Sequence, residues 1–299
     1  MKNITTFKTE LPEIGVLERQ LIASPALLYT ECAETQFRTF GFAKESSLVK
    51  LENGYRIDFV YEQKDIPSSA INNEVQKIIK SIENIEDRTP MKKERTAIKE
   101  DVMMELCHRA LTKIARFSAF YHTERQVLLI DSSNKDHASA LMNCLTRLQG
   151  SIKTTTLHVC GVSNSVGTAA LDSIRSNSEL MIAGFYFGEK LNLQSIEDKS
   201  QTIKFSTDYN LAHVEELLCS NYIVKSLSLS KGGLTFMLTD DFKIKSIKDS
   251  GDMFDPEDFD NTLEFELHKQ TVILELMSSN IDDLVEYFDK IEKAAEKAE

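Results

Sequence analysis

The amino-acid sequence predicts an α+β protein with mixed, largely antiparallel sheets and long amphipathic helices, on three observations. Segments with apolar period two give way to segments with period near 3.6, without the regular strand–helix alternation that a parallel sheet requires. Consecutive strand-like runs are joined by short turns such as Lys231-Gly232-Gly233, which favours antiparallel pairing. Eleven Gly, five Pro and no Trp in 299 residues leave few breakpoints, so long helices and plain strands fit better than a turn-rich all-β fold.

The elements follow from local pattern. Asn53-Gly54 is a turn, and Tyr55, Ile57, Phe59 and Tyr61 then alternate with Arg56, Asp58 and Val60, giving a strand with one aromatic face. After Pro67, with Ser68 or Ser69 as a cap, Ile71, Val75, Ile78, Ile79, Ile82 and Ile85 mark a helix packed along one side, with Lys77 and Lys80 pointing elsewhere. Residues 87–91, with Pro90, interrupt it. A second helix is expected from residues 92–94 to about 119, with Met103, Leu106, Ala110, Ile114 and Phe117 as its apolar stripe. On that helix Arg109, Lys113 and Arg116 stand at i, i+4 and i+7 and would stack on one flank as a rail of cations.

Residues 126–130 read as a buried strand and 137–149 as a helix ended by Gly150. Strands are expected at 154–160, 180–187, 201–205, 222–229, 234–238 and 242–247, with a helix at 211–219. Asp255-Pro256-Glu257-Asp258 is a helix start, with Asp as cap, Pro first and acids at the positive dipole end. Residues 271–276 read as a strand, and 281–298 as an acidic amphipathic helix with Leu284, Val285, Phe288 and Ile291 inward.

Charge is segregated. The chain carries −12 overall, but residues 249–299 hold sixteen Asp or Glu against four Lys, so residues 1–248 are neutral. Between Arg88 and Arg116 eight Lys or Arg face four carboxylates. Phosphate binding draws its affinity from such clusters, so the acidic total does not exclude a polyanion partner. Lys92, Lys93, Arg95, Lys99, Arg109, Lys113 and Arg116 are the candidate phosphate contacts, each weighed against a plain solvent-facing charge.

Other chemistry finds little support. Five cysteines (Cys32, Cys107, Cys144, Cys160, Cys219) are scattered and never form CxxC, so they read as small buried apolar residues in a reducing compartment. His158 and Cys160 lack a second ligand pair. The run at 161–168, GVSNSVGT, lacks the GK[ST] of a phosphate loop and reads as a plain loop. The acid-rich run at 249–260 misses the calcium-loop spacing, and Asp240-Asp241 reads as a turn. No GxSxG or HExxH motif occurs, so neither a cofactor, a catalytic residue nor a metal is expected. No apolar run is long enough to cross a bilayer and the first residues lack a signal pattern, so a soluble cytosolic protein without a membrane partner is expected.

Lys99 with the acidic pair Glu100-Asp101 and Val102, then Leu106, Arg109-Ala110, Phe117, Ile130-Asp131, Ala138, Leu145 and Gly150-Ser151 form a collinear pattern. It resembles the bacterial RdgC family, the recombination-associated proteins. Weaker matches extend to Asn53-Gly54, Lys64 and Pro67, and to Asp258-Phe259. The resemblance implies one unit over residues 1–299, with subdomains at 1–150 and 151–299, and horseshoe-shaped subunits that pair into a two-fold ring. It implies non-specific binding of double-stranded DNA, restraint of RecA-type strand exchange, a nucleoid-associated cytoplasmic location and no enzymatic activity. Two places in the chain depart from the family pattern. Phe205, Ser206 and Thr207 stand where some members carry a basic pair and Gln before the residue aligned with Asp208, and Leu111 stands where an aromatic occurs at a subunit contact. The alternative is a recombinase-regulating interaction module that acts through the acidic C-terminal region and hardly touches DNA.

Overall fold

The opening residues, which carry no marked pattern in the sequence, form the strand that holds the molecule together. The computed structural model describes residues 1–156, 162–175, 181–207 and 210–296. In chain order the elements are β1 (Asn3–Thr9), α1 (Ile14–Ala23), β2 (Arg38–Phe42), β3 (Leu48–Lys50), β4 (Gly54–Lys64), α2 (Ser68–Glu86), α3 (Lys92–Arg109), β5 (Thr112–His122), β6 (Val127–Ile130) and α4 (Lys135–Gln149). They continue as β7 (Thr154–Thr156), α5 (Val162–Arg175), β8 (Met181–Ile182), β9 (Phe185–Ser195), β10 (Thr202–Ser206), α6 (Leu211–Cys219), β11 (Tyr222–Lys231), β12 (Leu234–Thr239), β13 (Ile244–Asp249) and α7 (Thr262–Glu296).

The thirteen strands of the described residues join one sheet, in the order β10-β9-β11-β12-β13-β1-β6-β5-β4-β2, with β3, β7 and β8 attached to β4, β1 and β9. Every pairing between named strands is antiparallel, so the expected mixed α+β class with antiparallel sheet is what the chain forms. β1 pairs β13 through Asn3 and Ile4, then β6 through Thr5 to Lys8, and so joins an N-terminal half-sheet to a C-terminal one.

Two apolar clusters lie on this frame, and β6 separates them. Its residues alternate: Leu128 and Ile130 pack with α1, α4 and the aromatic face of β4, whereas Val127 and Leu129 join the cluster beneath the C-terminal half. All four are fully buried, which explains why this short run is apolar without alternation. The aromatic face of β4 stands as read: Tyr55, Ile57, Phe59 and Tyr61 are all buried.

Several expectations are corrected. The helix expected to reach residue 119 stops at Arg109, where Ala110 turns extended (φ −77°, ψ 139°), and residues 112–122 form β5 instead. Thr112 to His122 pair with Lys64 to Gly54 without a break, and this long ladder outweighs a five-residue stripe that fitted a helical period by coincidence. Residues 271–276 are not a strand. They lie inside α7, where Leu267, Leu274, Met277, Ile281, Leu284 and Phe288 recur at spacings of three, four and seven along one stripe against the C-terminal core. The β-branched start of that run hid the longer period.

The run at 161–168 is not a loop from Val162 onward but the start of α5. Residues 180–187 split at Ala183-Gly184, both at positive φ, into the β8–β9 hairpin. Neither serine caps α2, whose N-cap is Pro67. At 255–258 Asp255 does cap, accepting from Glu257 N, but the result is a single 3-10 turn, and α7 begins beyond it with Asn261 accepting from Glu264 N. The Lys231–Leu234 turn holds, with Gly232 and Gly233 at φ 61° and 75°, a geometry that disfavours any side chain. His158, Cys160 and Asp208 lie outside the described residues.

Candidate nucleic-acid interface

α2 and α3 form a hairpin inserted between β4 and β5. Asp87 ends α2 in the left-handed region (φ 51°), Pro90 is buried in the turn, and Glu94 accepts the Met91 N–H at 2.8 Å to start α3. The buried apolar residues of this finger, Ile71, Ile79, Val102 and Cys107, belong to neither of the two main clusters. At its base the Asp65 N–H donates to Leu111 O at 2.8 Å. Leu111 itself is 84% exposed.

The basic run rides on the outside of the finger. Lys92, Lys93, Arg95, Lys99 and Arg109 are all exposed on α3, and Lys92, Arg95 and Lys99 follow i, i+3, i+7 on one side. Among the described residues none of these five is ion-paired. Arg88 is different: Glu86 at 2.7 Å and Glu94 at 2.8 Å hold it, so its charge is balanced locally. The same contact, with the Met91 N–H, holds the Glu94 carboxyl below its usual range. Arg95 Nε donates to Pro90 O at 3.0 Å, which ties its guanidinium to the turn before α3.

The rail expected from Arg109, Lys113 and Arg116 does not exist. Lys113 and Arg116 lie on β5, opposite Gln63 and Val60, and a separation of three residues on a strand sends them to opposite faces. Both are exposed and, among the described residues, without an ion-pair partner. Arg116 lines a groove of about 590 Å³ with Tyr29, Lys44, Ser46, Asp58 and Ser118. Lys44 was missed from sequence because it is a single cation in a segment without periodicity, brought there only by the β2–β3 connection.

The groove has a fixed polar floor. Asp58 accepts from Ser118 Oγ at 2.6 Å, Ser46 Oγ at 3.2 Å and Arg56 Nη2 at 2.9 Å. Beside it the buried Glu62 accepts from Tyr29 OH at 2.6 Å and the Cys32 N–H at 2.8 Å. Burial works to raise the Glu62 carboxyl, but those two donors, Thr112 and Lys64 together hold it below the usual range. Burial and the Glu62 contact push the Tyr29 hydroxyl upward, so it stays protonated and donating. These carboxylates are structural acceptors already satisfied by neighbours. Among the described residues no group of three His, Cys, Asp or Glu converges as metal ligands would.

The acidic C-terminal helix is tied inward. Glu275 accepts from His122, Asn53 and Arg125, Asp282 from Lys8 and Arg125, and Asp283 from Lys231. Among the described residues, no helix is long and apolar enough to cross a membrane.

The chain aligns with a family model described as "Putative exonuclease, RdgC" over residues 1–291. Curated relatives carry a different description, "Recombination-associated protein RdgC". The protein of Shewanella sediminis (strain HAW-EB3) is 26% identical over 262 residues, covering 83% of this chain and 82% of its own. That of Shewanella loihica (strain ATCC BAA-1088 / PV-4) is 26% identical over 264 residues, with the same coverage. That of Pseudomonas putida KT2440 is 25% identical over 259 residues, again with 83% and 82% covered. With the match spanning nearly the whole chain, this protein belongs to the RdgC family of recombination-associated proteins.

Proposed function

We propose that this chain is a non-sequence-specific double-stranded DNA-binding protein, that its copies pair two-fold into a ring enclosing the duplex, and that it modulates homologous recombination by restraining RecA-type strand exchange. The observation that carries this reading is the cluster of exposed cations on α3 and β5 that, among the described residues, have no carboxylate partner, in a stretch from Arg88 to Arg116 where eight Lys or Arg stand against four carboxylates. Unpaired Lys and Arg on a protruding element are suited to phosphates, and they carry no base-reading geometry. A two-fold ring of horseshoe-shaped subunits doubles the basic surface and adds topological retention, so neither copy needs a strong site. In this reading residues 1–150 supply the basic finger and residues 151–299 the second half of the horseshoe. The protein acts as a binder in the cytoplasm, on the nucleoid, and not as an enzyme.

The reading is tested with two unrelated duplexes of equal length, as open linear fragments and as closed circles, each challenged with excess competitor. Equal affinity for both sequences and slower loss from circles support it. A strong preference for one sequence, or equal loss from circle and line, overturns specificity or enclosure respectively. Incubation with magnesium and end-labelled duplex separates the exonuclease description: intact ends after prolonged exposure to excess protein support a binder, and progressive shortening overturns it.

A module acting only through the acidic C-terminal region has less support. Its carboxylates Glu275, Asp282 and Asp283 are engaged by Arg125 and Lys231 of the same chain, and Ile281, Leu284 and Phe288 of that helix are fully buried.

A further inference from the structure

Two thiols from distant segments converge on one carbonyl. Cys32 Sγ donates to Gln36 O at 3.0 Å, and Cys107 Sγ approaches the same oxygen at 3.5 Å. Their sulfurs are therefore separated by no more than those two distances end to end. Cys32 is half-buried in the loop before β2, whereas Cys107 is 3% exposed in the last turn of α3. The loop is held in place: Glu62 accepts the Cys32 N–H at 2.8 Å, and Gln36 Oε1 accepts the Ala33 N–H at 3.2 Å. Cys107 sits at the base of the finger, whose own small core is separate from the two main clusters.

We propose that Cys32 and Cys107 form a reversible thiol–disulfide pair, and that its oxidation clamps the base of the α2–α3 finger to the loop preceding β2. The oxidant is a hydroperoxide, with hydrogen peroxide as the simplest case. The Cys32 thiolate, the more accessible, attacks one peroxide oxygen. The O–O bond breaks, hydroxide leaves and takes up a proton as water, and Cys32 carries a sulfenic acid. The Cys107 thiolate then attacks the Cys32 sulfur, the S–O bond breaks, a second water leaves and the S–S bond forms. Two thiols are oxidised by two electrons while one peroxide is reduced to two waters. Thiol reductants of a reducing compartment reverse the bond. Burial and the neighbouring Glu62 carboxylate keep Cys32 largely protonated against the opposing effect of Lys64, so the pair responds to sustained rather than trace oxidant. The clamp acts on the finger whatever the finger binds.

The full chain is exposed to hydrogen peroxide, quenched with iodoacetamide and digested without reduction for mass spectrometry. A Cys32–Cys107 linked peptide is expected, abolished by dithiothreitol and absent from Cys32→Ser and Cys107→Ser. Hydrogen exchange of the folded chain then reads the clamp, with at least threefold slower exchange expected in α2 and α3 of the oxidised form and no change in either serine variant. Cys32 reaching sulfinic acid while Cys107 still takes up iodoacetamide overturns the pair. A linked peptide with unchanged exchange in α2 and α3 overturns the clamp. Neither readout involves DNA, so failure of the DNA reading is distinguished from failure of this one.

Discussion

His122 Nε2 lies 2.6 Å from Glu275 Oε2, and that contact joins the end of β5 to the middle of α7. His122 is 2% exposed, so its ring has little access to water as an alternative partner. Glu275 also accepts from Asn53 at 3.0 Å and Arg125 at 3.1 Å, and Arg125 reaches on to Asp282 two turns along the same helix. One helix is thereby pinned to the N-terminal half-sheet by two carboxylates on a single face.

Glu275→Ala removes the acceptor from three donors. Stranding the buried His122 nitrogen alone costs about 1–3 kcal/mol, and the melting temperature is expected to fall accordingly. Thermal unfolding of the variant checks this, and an unchanged midpoint would show that the pin contributes nothing.

The same contact sets a pH dependence. The His122 contact first, then Asn53 and Arg125, hold the Glu275 carboxyl down to about 2 against its ordinary 4.5, although burial opposes them. A carboxyl depressed in the folded state contributes stability that is complete above about pH 4.5 and is lost as pH falls toward 2. In acid titrations the gap between the parent chain and Glu275→Gln should be constant above pH 5 and shrink below 4. A gap that widens toward acid would reverse the assignment.

Leu284→Ala separates the two views of the C-terminal helix. Leu284 is fully buried in the C-terminal core, so the substitution should cost about 2–5 kcal/mol in urea unfolding. A loss under 1 kcal/mol would return α7 to a solvated acidic arm.

Lys113 and Arg116 should not behave alike. Because β5 sends them to opposite faces, one duplex lying on one face meets one of them. Charge reversal at Lys113 and at Arg116, made separately, should therefore weaken DNA retention unequally. Equal losses of similar size would fit a shared helical flank and contradict the strand.

What was legible in the sequence was whatever a local period could carry. The alternation of Tyr55, Ile57, Phe59 and Tyr61 gave β4, the isoleucine row gave α2, and residues 211–219 matched α6 because Asn210 caps a plain apolar repeat. What failed depended on partners far along the chain. Residues 112–119 fit a helical stripe when read alone, and only pairing with β4 makes them a strand. Residues 271–276 resemble a strand until Leu267 before and Ile281 after extend the heptad through them. The cations of α3 were readable because charge clustering is a property of sequence. Lys44 beside Arg116 and the convergence of Cys32 with Cys107 were not, since both arise from loops positioned by the sheet.

The most direct measurement of the central claim is affinity for a random-sequence duplex across a salt series, made for the parent chain and for the triple variant Lys92→Ala, Lys93→Ala, Arg95→Ala. With roughly four to eight phosphates neutralised, log K against log salt should slope at about −4 to −7, and removing three contacts should flatten it by about 3. Parallel lines for the two proteins, or a parent chain that fails to bind at low salt, would contradict the placement of a DNA-binding surface on the α2–α3 finger.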